Sequence, residues 1–98
     1  MLKHIVFLKL KDRSSENIQK AAELLRGIEG KIAQLQSMEV GIDIYNAPRS
    51  YDIVFIGIFR SREDERAYQE HQVHQPIKQY MSDVCESIAS VDYEVKSV

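Results

Sequence analysis

The run YDIVFIGIF, residues 51 to 59, constrains this chain more than any other stretch. After Asp52 it carries no charge, and its residues are β-branched, aromatic or glycine. That composition suits a central strand covered on both faces. Such a strand needs neighbours along its edges, and the residues before it supply one. Met38, Val40, Ile42 and Ile44 alternate with Glu39, Gly41, Asp43 and Tyr45. Asn46, Ala47, Pro48, Arg49 and Ser50 then read as a turn, so a hairpin is expected.

From Lys3 to Lys11 the chain places His4, Val6, Leu8 and Leu10 on one side at period two, with Lys3, Ile5, Phe7, Lys9 and Lys11 on the other. This is a further strand, apolar on both faces at its centre. Ser14 and Ser15 offer an N-cap, and Ile18, Ala21, Ala22, Leu25, Ile28, Ile32 and Leu35 recur at helical spacing. Gly27 and Gly30 each cost about 1 kcal/mol relative to alanine within a helix, which predicts a kink or break near Gly30. Ser61 with Asp64 resembles a capping box and opens a helix carrying Ala67, Tyr68 and His71. Pro76 ends that segment by about Gln75 and starts a second one with Ile77, Tyr80, Met81 and Val84 on its apolar stripe. From Ser87 to Val98, Ala89, Val91, Tyr93 and Val95 alternate with Ser90, Asp92, Glu94 and Lys96, a strand with a dry and a wet face.

The order is βαββαβ with no repeat or linker, and 98 residues fit one domain spanning 1–98. Helices on one face of a four-stranded antiparallel sheet make the ferredoxin-like α+β arrangement. The other sheet face keeps Phe7, Phe55 or Ile56, and Ile42 or Tyr45. An apolar face of that size predicts burial against a second copy in a two-fold homodimer.

Charge narrows the partners. A formal charge of −2 and a pI near 5.9 leave no basic footprint for nucleic acid. RNA-recognition domains share the βαββαβ order, but HIVFLKL and DIVFIGIF lack the glycine and aromatic pattern with which those domains read bases. The opening run is interrupted by Lys3, His4, Lys9 and Lys11, so it is neither a signal-peptide core nor a membrane span, and a cytoplasmic address without membrane association is expected. Cys85 is the single cysteine, which leaves no intrachain disulfide and no cysteine metal cluster. It reads as a small buried hydrophobe.

The chemistry-bearing residues gather in AYQEHQVHQPIKQY, residues 67 to 80. Tyr68 and His71 share a helix face, and His74 sits where the helix breaks ahead of Pro76. An imidazole can take a proton from carbon or oxygen while a phenol hydrogen-bonds the oxyanion that results. His4 adds a polar tip to the apolar wall of Val6 and Leu8. Spacing alone favours surface or core-edge roles for such residues. His71 and His74, three apart, leave a metal coordination sphere incomplete, so no metal is expected. Asp92 and Glu94 read as solvated, or as dimer salt-bridge partners.

Taken together, KHIVFLKLK, MEVGID, YDIVFIGIFRSREDERAYQEHQVH and VDYEV resemble the stress-responsive α/β-barrel (Dabb) family almost end to end. The resemblance implies a dimeric α/β barrel. In one plant branch, that of olivetolic acid cyclase, a linear polyketide is closed by aldol condensation without metal or cofactor. The Y-x-x-H-P-x-H motif of that branch matches Tyr68, His71 and His74, and the first-strand K-H motif matches His4. The resemblance thus implies His74 as general base, Tyr68 as oxyanion donor and His4 at the same pocket, with no cofactor. Gln72 stands where the family usually has proline, which leaves the turn that aims His74 less rigidly fixed. Val6, Leu8, Leu25, Phe55 and His71 are the expected ligand-contacting residues, and Ala21 and Ala22 the expected roof. Two functions are carried forward: a stress-response module binding a small apolar or phenolic ligand, and a cofactor-free cyclase-like or lyase enzyme.

Overall fold

The central run becomes a strand with a neighbour on each edge. In the computed structural model, which describes residues 1–96, β1 (Leu2–Leu10), β2 (Ser37–Ile42), β3 (Ile53–Phe59) and β4 (Cys85–Glu94) form one antiparallel sheet in the order β2-β3-β1-β4. Helices α1 (Ser15–Arg26), α2 (Arg62–Glu70) and α3 (Gln75–Val84) cover one face, completing the ferredoxin-like βαββαβ fold. Ser14 caps α1 by accepting from the Asn17 amide, and Ser61 caps α2 by accepting from the Asp64 amide.

Register decides which residues meet the helices. Leu2, His4, Val6, Leu8 and Leu10 of β1 lie beside Ile53, Phe55, Gly57 and Phe59 of β3, and the buried core gathers between them and Ile18, Ala21, Ala22 and Leu25 of α1. Gly57 pairs with His4. A Cβ there would stand 3.1 Å from Leu35 Cδ1 and 3.2 Å from both the Phe55 and Phe59 rings, so glycine lets those rings close in on the histidine.

Four boundaries differ from expectation, each for a local reason. Helix α1 ends at Gly27 rather than near Gly30, and Gly30 adopts φ 78° in the turns that follow. Ile28 and Ile32 are still buried, so their helical spacing is met by coiled turns. The break between α2 and α3 starts at His71, before the proline. The Gln75 side chain donates to the carbonyls of Gln69 and His71, satisfying the end of α2. Strand β2 stops at Ile42, and Ile44 and Tyr45 stand in solvent, 84% and 80% exposed. Asp43 holds that loop by accepting from the amides of Tyr45 and Asn46, the latter at φ 52°. Strand β4 begins at Cys85, two residues early; the part of the expected strand at 97–98 lies outside the described residues.

The faces of β4 require a larger correction. The residues of its expected dry side point away from the helices: Val91 lies beside Ile5, and Ala89 beside Phe7, on the uncovered sheet face with Val54 and Ile56, while Ile88 beside Leu8 is on the helix side. Residues of its expected wet side lie on the helix side of the sheet, with Asp92 beside His4 and Ser90 beside Val6, both still exposed. Val91 is accordingly 55% exposed. Among the described residues no helix is long and apolar enough to cross a membrane.

Candidate functional site

Tyr68 is the buried residue of α2, almost fully enclosed near the end of the helix. Its ring lies parallel to Phe55 at 6.2 Å and packs against Phe59 at 5.0 Å. His74 caps α3 in helical conformation without a side-chain capping bond, which frees its ring to lean on Tyr68 at 4.3 Å between centroids. His4 meets Tyr68 edge-on at 6.1 Å. The three residues singled out from the sequence therefore converge, although they come from β1, α2 and the α2–α3 turn.

Each has a distinct electrostatic state. The His4 ring donates from Nδ1 to the Asp92 carboxylate, which fixes the orientation of the imidazole. Burial, reinforced by the charge of Lys78, pushes the His74 imidazole down to about 4, so it is neutral at physiological pH. Its Nδ1 is buried without a hydrogen-bond partner among the described residues. Burial, with Glu65 adding to it, pushes the Tyr68 phenol well above its ordinary value, so the hydroxyl stays a donor.

A cavity of ≈ 250 Å³ lies over this group, between the sheet and α3. Val6, Leu8, Leu25 and Phe55 form its apolar wall, together with Ile77 and Met81 of α3. It is open where Ile88 and Ser90 of β4 and Lys78 of α3 are exposed. His71 is not on this wall; its Nδ1 accepts from the Val73 amide and shapes the turn that carries His74. Ala21 and Ala22 are sealed in the core, leaving Leu25 as the contribution of α1. One group among the described residues offers three potential metal-binding atoms within 4.8 Å of one another: His4, Glu65 and Asp92. His4 Nδ1 and one Asp92 oxygen already satisfy each other there.

Sequence reading missed Asp92, Lys78, Gln69 and Ser90 at the site. Alternation within β4 puts Asp92 on a wet face, and only its pairing with β1 turns it toward His4.

The model of the stress responsive A/B barrel domain matches residues 2–95. Among curated proteins none matches. A crystal structure of an Arabidopsis thaliana protein superposes with TM-score 0.83 at 24% identity, covering 100% of this chain and 98% of that one. A dimeric protein of unknown function and ferredoxin-like fold from Bacteroides fragilis gives 0.81 at 27% identity, covering 96% and 95%. The hydroxynitrile lyase of Passiflora edulis gives 0.77 at 19% identity, covering 99% and 94%.

Proposed function

Since the chain belongs to the stress responsive A/B barrel domain family, we propose that it is a homodimeric ligand-binding protein of stress-response type, whose cavity takes a small apolar or phenolic compound. The observation that carries this reading is the convergence of His4, Tyr68 and His74 on one partly open apolar cavity, with a buried His74 nitrogen lacking a partner. Native structures rarely leave such an atom unsatisfied unless a ligand or water meets it. A cytoplasmic setting belongs to the same reading; the one cysteine, Cys85, is buried and its thiol is pushed up by that burial.

A second reading, a cyclase-like or lyase enzyme, is favoured by the protonation states. Neutral His74 accepts a proton from an acidic carbon of the ligand, and protonated Tyr68 donates a hydrogen bond to the oxygen on which the charge develops. His4, oriented by Asp92, stands close enough to share the same ligand. A hydroxynitrile lyase among the structural neighbours is consistent with lyase chemistry on this scaffold.

The test is a thermal-shift screen of phenolic and β-dicarbonyl compounds against the protein and its His74→Ala variant, with mass spectrometry of each hit. A ligand at a hundred times its Kd adds about 2.7 kcal/mol, a rise in Tm on the order of 10 °C for a domain of this size. The variant should stay folded and lose that rise. Conversion of a hit selects the enzyme; equal responses from both proteins would sink the site.

The dimer is read from the uncovered sheet face, where Ile5, Phe7, Val54, Ile56 and Val91 are contiguous. Neighbours from Bacteroides fragilis and Jannaschia are described as dimeric. Phe7→Glu is expected to convert the protein from twice 11.3 kDa to 11.3 kDa in light scattering; a variant that remains dimeric would move the interface elsewhere.

A further inference from the structure

The cavity has an asymmetry of charge that its apolar lining does not require. Of the side chains on its wall, Lys78 is the one with a formal charge at neutral pH, and no carboxylate is among them. Asp92 is engaged by His4, and Glu65 accepts from the Gln69 side chain. Among the described residues no acidic group lies within ion-pair distance of the Lys78 ammonium, whose polar contact is the Gln69 carbonyl at 3.2 Å.

A second observation points the same way. Helix α3 starts at this wall without an N-cap side-chain bond and without an acidic residue in its first turn. Helices usually satisfy the positive end of their dipole with one or the other. The residue at that end is His74, 8% exposed, on the cavity wall and with its Nδ1 unpartnered. Lys78 follows one turn later, its amide donating to the His74 carbonyl at 2.9 Å, so the two side chains share a face of the helix. Lys78 and His74, with its buried unpartnered nitrogen, thus both line the cavity within the first turn of α3.

We propose that the ligand carries one anionic oxygen group, a carboxylate or an enolate, held between Lys78 and His74 at the start of α3, with its apolar body against Phe55, Leu25 and Met81. This rests on the reading of the cavity as a ligand site and adds the ligand's charge and orientation. His74 in its Nδ1–H tautomer donates to the anion, and the ammonium supplies the charge-assisted bond that places it. Lys78 is in this sense a specificity-determining residue, selecting acids over their neutral counterparts.

The test uses a matched pair of probes, salicylate and salicylamide, which differ in the charge of one substituent. Their affinities are measured by calorimetry with the intact protein and with Lys78→Gln and Lys78→Arg, and the imidazole resonances are followed by NMR. Salicylate should bind about tenfold more tightly than salicylamide and move the His74 resonances. Lys78→Gln should lower its affinity to that of the amide, while Lys78→Arg retains the preference. Equal binding of the two probes to the intact protein, or a preference that survives Lys78→Gln, overturns the anionic ligand and leaves the cavity reading standing. Failure of both probes to bind counts against both.

Discussion

Replacing Asp52 by alanine is expected to destabilise the protein by about 3–5 kcal/mol, the range seen when one member of a buried ion pair is removed. Asp52 is 1% exposed at the approach to β3. Its carboxylate accepts from the Leu10 amide and from Arg13 Nε, each at 2.9 Å. Arg13 in turn donates to the carbonyls of Ala47 and Ser50 at 3.0 Å. One side chain therefore ties the end of β1, the start of α1 and the β2–β3 loop together. Alanine would leave a half-buried guanidinium and a strand-end amide without their acceptor. Equilibrium urea denaturation reads the loss directly. A cost under 1 kcal/mol would show that water replaces the carboxylate and that the loop is held by other contacts.

The second large effect is a dependence on pH. His74 is held neutral in the folded protein, pushed down to about 4 from the ordinary 6.5. Between those values the unfolded chain binds a proton that the folded chain refuses, so acid favours unfolding. The stability that this group contributes is complete above pH 6.5, declines as pH falls, and is gone below about 4. The difference corresponds to about 3 kcal/mol. Urea midpoints collected across that window should fall with acidification, and His74→Gln, which has no proton to gain there, should flatten the curve. An equal slope in the variant would assign the acid sensitivity to other groups.

Much of this architecture was legible in the sequence, because local pattern and tertiary environment agree along most of it. The run 53–59 is apolar on both sides: helices cover one face, and the other is the uncovered face on which the proposed dimer is read. Ser14 and Ser61 cap where their side chains predict. The failures occur where environment reverses local sense. On β4 the expected dry side is the uncovered face and the wet side borders a cavity; Asp92 is exposed, as alternation predicts, but alternation does not show that it also accepts from His4. After Gly27 the apolar spacing persists in turns, and spacing cannot distinguish those from helix. Tyr68, His74 and His4, singled out by their chemistry and the family motif, come together in space. Lys78 was passed over because a lysine on a helix ordinarily means solubility, and only the absence of neighbouring carboxylates makes it informative.

The His4–Asp92 hydrogen bond joins residues 88 positions apart, the first strand to the last. Pairing over that separation requires closing nearly the whole chain, and such contacts form late and slowly compared with hairpins and helices. The β2–β3 hairpin and α1 can form while His4 still lacks its carboxylate, so a nascent or partly folded chain presents no oriented imidazole. Orientation of this imidazole and completion of the fold are thus one event, and a chain trapped before β4 docks would lack the first as well as the second.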